Sequence, residues 1–405
     1  MLRNPSFLKA ISILFLATPG AAGLGQAQAP VTLPDLQTPD HQSVDALGRD
    51  LFTQSGSTGM VLVVVRDNQV LFRGYGETAP NSHQAPTQDS LLRLCSLTKI
   101  FTTDLLTKLV ADKTVELSDP LQQFAPPHKV VPRRNGSITL LDLATHTSGL
   151  PRELGSMPRD QAHFTFPDYQ TRWRWLPNQH LRSTPGKSAL YSNIAYDFLG
   201  DALAAAAHKQ YAALLEERTL KPLHMWQTTY FPSAEQCGRL LAGANDERAC
   251  SETDATAGSS GLFSTAADIT VWLKYLLGAG PTDVPAQSEA AQAVYLDPSK
   301  LVSQRGLDHA GEPTGVGLGW IHILPLDSES HIVEKTGGGA GFETYIAINH
   351  ARRAAIFVAA TDGPVDTHLN LFNAANKLLL AVAGLPPLPA PPPKPVRRRA
   401  RRRRR

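Results

Sequence analysis

The stretch RLCSLTKIFTTDLL, Arg93–Leu106, decides how the rest of the chain is read. With Leu109 and Val110 beyond it, its apolar residues predict a buried helix from Ser96 to Leu117. Yet the helix carries Lys99, and lysine is among the residues least often buried without a partner. A serine hydroxyl is a poor nucleophile until an adjacent base takes its proton. A lysine three residues further on lies on the same helical face. An apolar site disfavours its ammonium form, so its pKa falls toward neutrality. The helix start also favours negative charge developing at Ser96. Ser96 and Lys99 are therefore a candidate nucleophile and base. Ser-x-x-Lys alone is weak: Ser6-Phe7-Leu8-Lys9 matches it too, and Ser96 alone reads equally well as a helix cap.

Two other motifs change the reading. Tyr191-Ser192-Asn193 is the sole Tyr-x-Asn of the chain, and Lys335-Thr336-Gly337 is its sole Lys-Thr-Gly, at the end of a predicted strand. In the order Ser-x-x-Lys, Tyr-x-Asn, Lys-Thr-Gly, the sequence resembles the serine β-lactamase and penicillin-binding protein superfamily. Tyr-x-Asn points to its class C branch, which includes DD-peptidases and esterases. LLDLATHTSGLPRE from Leu140, PGKSALYSNIAYDFLGDALA from Pro185, GSSGLFSTAADITVWLKYLL from Gly258 and GLGWIHI from Gly317 carry the likeness over nearly the whole chain before the tail.

The resemblance implies an acyl-enzyme formed on Ser96, with Lys99 and Tyr191 sharing general-base work. It implies that Asn193 bonds the substrate amide and orients Lys99, and that the backbone N–H groups of Ser96 and Gly338 form an oxyanion hole. Lys335 and Thr336 would hold a terminal carboxylate, and Gly337 to Gly339 would let an extended peptide approach the strand. Lys335 is also expected to help keep Lys99 near neutral. No cofactor or metal is implied. The expected activity is a periplasmic, penicillin-binding D-alanyl-D-alanine carboxypeptidase or endopeptidase on peptidoglycan stem peptides. A class C-type β-lactamase, a serine esterase and a non-catalytic penicillin sensor are the alternatives. His146 would suggest a Ser-His hydrolase, but the chain has no Gly-x-Ser-x-Gly elbow, so His146 reads as a turn residue packed behind the site. Trp173 and Trp175 read as packing in the helical region rather than as a cleft rim.

The pattern along the chain predicts an α+β fold, with an antiparallel sheet built from both chain ends and a mainly helical insertion. A helix from Asp40 to Ser55 precedes a hairpin, GMVLVVVRDNQVLFRGYG, turning at Asp67-Asn68. HIVEKTG, FETYIAINH and RRAAIFVAAT are three further strands, and a last helix runs from Thr367 to Ala383. The sheet portion is read as about 40–137 and 315–384, the helical portion as about 138–314.

Residues 1–29 read as a secretory leader, with Arg3 and Lys9 ahead of a short apolar run and cleavage after Ala22, Ala27 or Ala29. An uncleaved amphipathic anchor is the other reading. The tail 385–405 is rich in proline and arginine, with eight arginines among the last nine residues. It is expected to be extended, and either binds anionic envelope surfaces or is simply solvated. The leader and tail hold eleven of the 39 basic residues and no acid, so the body has 28 basic against 36 acidic residues. That balance argues against a nucleic-acid-binding domain. Of the three cysteines, Cys237 and Cys250 are candidates for a disulfide or for two free thiols, and Cys95 reads as a buried thiol.

Overall fold

The computed structural model describes residues 41–387 except 156–157, 159–160, 245–249, 280–284 and 362–367. These residues all fall in one compact unit, Pro34–Arg405. The leader, and the tail beyond Pro387, lie outside the described residues.

Helix α1, His41–Ser55, leads into the predicted hairpin, β1 Gly59–Arg66 and β2 Gln69–Gly76. Asp67 makes the turn at φ +54. After the helical insertion the sheet resumes with β3 Pro313–Val316 and β4 Ile321–Ile323. It ends with β5 Ile332–Gly339, β6 Phe342–Asn349 and β7 Ala354–Thr361. Among the described residues these strands form a seven-stranded sheet in the order β2-β1-β7-β6-β5-β4-β3, antiparallel throughout. The chain's two ends meet where β1 pairs with β7, Met60 opposite Ala360 and Val64 opposite Ile356. β1 is a near-continuous valine run because both of its faces are covered. Met60, Leu62, Val64, Tyr345, Ile356 and Val358 share one core with α1 and the final helix, His368–Val382.

The other face carries helices from the chain between β2 and β3. Helix α2, Thr98–Ala111, is nearly all buried. It is shorter than the expected Ser96–Leu117. Asp112 ends it and Lys113 turns at φ +61, while Val115 is buried from a loop. The apolar spacing continued past the end of the helix, and no glycine marked the stop. Helix α3, Asn193–Ala207, is capped by the Ser192 side chain, which accepts the Ala195 N–H. Helix α4, Ala266–Leu276, packs against β1. Cys237 and Cys250 form a disulfide that closes a short loop. Trp173 is 2% exposed and donates its indole N–H to Asp201, so it packs as expected.

Asp201 is also the centre of a buried ion pair. Arg172 donates to both its carboxylate oxygens at 2.7 and 2.6 Å. The same guanidinium donates to the carbonyls of Pro167 and Ala255, tying two loops beside the active cleft to α3. Removing one partner of such a pair leaves an uncompensated buried charge. Asp201→Ala is expected to destabilise the protein by about 3–5 kcal/mol, read as an earlier urea-unfolding midpoint.

Candidate active site

Ser96 sits in a short 3-10 turn, Cys95–Leu97, that runs straight into α2. Cys95 takes φ +52, a backbone conformation that non-glycine residues seldom adopt. Its buried thiol donates to the Gly339 carbonyl at 3.3 Å, linking the turn to the end of β5. The Thr344 hydroxyl on β6 donates to the Leu94 carbonyl at 2.9 Å. The residues before Ser96 are thus fixed to two strands of the sheet.

Lys99 is fully buried. Its ammonium nitrogen lies 3.3 Å from Ser96 Oγ, 2.6 Å from Asn193 Oδ1 and 2.8 Å from the Ser259 carbonyl. Three acceptors satisfy it, yet burial still lowers its pKa to about 7. The charges of Asp197 and Glu153 oppose that lowering, and Arg152 adds to it. Lys335 is a second neighbouring cation, and its mutual repulsion with Lys99 lowers the Lys335 pKa.

Tyr191 lies over this group. The Lys99 and Lys335 ammonium groups and the Arg152 guanidinium each lie 5.0 Å from its ring centroid. Burial lowers the Lys335 pKa as well, against the opposing charges of Tyr191 and Glu334. His146 turns the chain at φ +61 and stacks on Tyr191 with centroids 4.4 Å apart. Its Nδ1 accepts the Ser192 N–H at 3.1 Å. Burial and the charges of Lys335, Lys99 and Arg152 push its pKa well below the usual range, so it stays neutral and fixes the Tyr-x-Asn turn.

β4 pairs with β5 only over Ile332–Glu334. Among the described residues, the edge from Lys335 to Gly339 therefore has no strand neighbour on that side. β5 also passes very close to Ser96. A Cβ at Gly337 would lie 2.2 Å from Thr344 Oγ1, 2.9 Å from the Leu94 carbonyl and 3.2 Å from the Ser96 nitrogen. Gly338 has no such contact and is exposed, beside Ser96 in the cleft.

Two pockets meet at Ser96 and Gly338. One, of about 380 Å³, runs along β5 past Thr336 to Gly339, with Arg152, Tyr191, His309 and Glu343. The other, of about 260 Å³, lies toward the helices and is lined by Glu153, Phe164, Asn193, Asp197 and Ser259 among others. The structure thus brings Ser96, Lys99, Tyr191, Asn193, Lys335, Thr336, Gly337 and Gly338 together from three separate parts of the chain.

The arrangement matches the β-lactamase family over residues 44–381. The chain belongs to the β-lactamase family. It is 39% identical to the Escherichia coli K12 D-alanyl-D-alanine-carboxypeptidase/endopeptidase AmpH, over 94% of this chain and 99% of that protein. A β-lactamase/D-alanine carboxypeptidase from Yersinia pestis, crystallised with citrate, is 41% identical, with a TM-score of 0.79 over 85% of this chain and 97% of that one. A class C β-lactamase at 21% identity and TM-score 0.67, covering 84% of this chain and 96% of its own, shares the fold.

Four contributors were not read from the sequence. Arg152 and Glu153 lie within the quoted LPRE, but that stretch counted only as likeness. Ser259 acts through its backbone carbonyl, which no side-chain pattern reveals. Asp197 was visible as an acid one helical turn after Asn193 in a mostly apolar helix. Given the crowding at Gly337, Gly337→Ala is expected to push β5 away from Ser96. Acylation by a fluorescent penicillin should slow by about 10²-fold, with the thermal unfolding temperature changed far less.

Proposed function

We propose that this protein is an exported serine DD-peptidase that removes D-alanine from peptidoglycan stem peptides and also cuts D-alanyl cross-links. The observation that carries the reading is Lys99, a fully buried amine with a pKa of about 7, 3.3 Å from the hydroxyl of Ser96 at the join of two pockets. The 39% identity to AmpH along nearly the full length of both proteins supports the substrate class.

In this reading the neutral amine of Lys99, with Tyr191 beside it, takes the Ser96 proton as Oγ attacks the carbonyl of the penultimate D-alanine. The developing oxyanion is held by the N–H groups of Ser96 and Gly338. The C–N bond breaks, the departing D-alanine amine receives the proton, and water then hydrolyses the ester. An extended peptide adds along the open edge of β5, with its carboxylate toward Lys335 and Thr336 and its acyl portion toward Asn193. The leader-like residues 1–29 support a periplasmic location. The arginine-rich tail is proposed to hold the enzyme to anionic envelope surfaces.

The purified mature protein should be incubated with a D-alanyl-D-alanine pentapeptide, a cross-linked muropeptide and a chromogenic cephalosporin, alongside Ser96→Ala. Release of D-alanine, abolished in Ser96→Ala, is expected. Rapid turnover of the cephalosporin alone would replace this reading with a class C-type β-lactamase.

The pH dependence is a second check. Neutral Lys99 is the active base, so kcat/KM is expected to rise with pH through about 7. The Asp197 charge raises the Lys99 pKa, and Asp197 itself titrates near 7, so the two behave as one unit. Replacing Asp197 with asparagine removes that charge, and the rising limb should move to lower pH. A limb that stayed in place would remove Asp197 from the control of Lys99.

A further inference from the structure

Two cations converge beside the pocket that runs along β5. Arg152 lines that pocket, and Lys335 immediately precedes Thr336, which lines it too. The Arg152 guanidinium and the Lys335 ammonium each lie 5.0 Å from the Tyr191 ring centroid. Burial lowers the Lys335 pKa, and the charge of Arg152 adds to that lowering. Neither cation has the partners that usually hold a charge inside a protein. Lys335 is 3% exposed, and among the described residues no hydrogen bond engages its ammonium group. The Arg152 guanidinium likewise makes no hydrogen bond among the described residues. Its ion pair with Glu153, at 3.8 Å, joins side chains that are 58% and 46% exposed, and such a pair holds a guanidinium weakly. Arg172, a structural arginine, shows the contrast: its guanidinium donates to Asp201, Pro167 and Ala255.

The backbone beneath Arg152 is fixed to the Tyr-x-Asn turn. Its carbonyl accepts the Asn193 N–H at 2.9 Å, and the Pro151 carbonyl accepts the Ser192 hydroxyl at 2.6 Å. Arg152 therefore presents a donor fork from a fixed base, and that fork matches the geometry of a carboxylate. The pocket it faces has about 380 Å³, in the range that holds drug-sized ligands and far more than one alanine fills. Phe342 and Phe372 give it apolar wall for an aliphatic stretch. The acid that lines it, Glu343, stands opposite Gly338 in the register of β5 and β6, farther along the strand than Thr336. A terminal D-alanine carries one carboxylate, which Lys335 and Thr336 suffice to hold. It leaves Arg152 and most of the volume without a role.

Resting on the peptidase reading above, we propose that Arg152 recognises a second carboxylate, carried by a leaving group larger than D-alanine. A cross-link to a stem that ends in a diamino dicarboxylic acid presents such a group. One carboxylate lies beside the scissile nitrogen, for Lys335 and Thr336, and the other lies several bonds away, for Arg152. The second contact adds to cross-link cleavage and nothing to removal of a single D-alanine. Arg152 is then the residue that favours the endopeptidase reaction over the carboxypeptidase reaction.

The test is kcat/KM at low salt for diacetyl-lysyl-D-alanyl-Y, where Y is D-alanine, D-2-aminoadipate or the side-chain amide of D-2-aminoadipate. The aminoadipate peptide should exceed its amide by about fivefold or more, and high salt should shrink the gap. In Arg152→Gln that ratio should fall toward one. In Arg152→Lys, which keeps the charge without the fork, it should lie between. The ratio is the readout because loss of Arg152 also raises the Lys99 pKa, and that, like a general loss of structure, slows all three peptides together. Equal rates for the aminoadipate peptide and its amide in the wild type overturn this inference and leave the peptidase standing. A preference that survives in Arg152→Gln overturns it too, because another group then holds the second carboxylate. Hydrolysis of none of the three peptides overturns both.

Discussion

The rest of the site depends on one buried nitrogen. Lys99 is fully buried, and its three hydrogen-bond acceptors come from three places: its own turn, the Tyr-x-Asn motif and the loop before α4. Burying an ammonium is costly unless it is paired, and the compromise here is a pKa of about 7 rather than a fixed charge. A lysine held at its usual value would be permanently protonated and could not take a proton from serine. The hydrophobic packing of α2 is therefore part of the chemistry, because it keeps water away from that amine.

The sheet supplies the second constraint. β5 has to pass within van der Waals reach of the Ser96 turn, and Gly337 is the place where no side chain fits. Thr344 and Cys95 brace the two parts together through carbonyls of the opposite partner. The oxyanion donors proposed for Ser96 and Gly338 belong to elements far apart in sequence, so their spacing is set by these braces and not by local structure. Stopping β4 at the level of Glu334 leaves the edge beyond it open.

Much of this was legible in the chain. The valine run of β1 with its Asp-Asn turn, the three late strands and the last helix followed from apolar spacing and turn residues. Ser96, Lys99, Tyr191, Asn193 and Lys335 were singled out because each lies in a motif that occurs once in residues 30–405, and the structure brings them together. What could not be read has physical reasons. The end of α2 is set by a left-handed residue, Lys113, and lysine carries no signal for that conformation. The Ser259 contact uses a backbone carbonyl, which every residue has. The part played by Arg152 was missed because sequence order says nothing about which cation ends up close to which amine.

The pinning of the Pro151–Glu153 loop couples two things that seem separate. Its carbonyls fix the start of α3, and with it the position of Asn193 against Lys99. Its side chains, Arg152 and Glu153, form an ion pair at 3.8 Å and line the two pockets that meet at Ser96. Those same charges act on Lys99, Glu153 raising its pKa and Arg152 lowering it. The loop that positions Asn193 thus also sets part of the charge felt by Lys99.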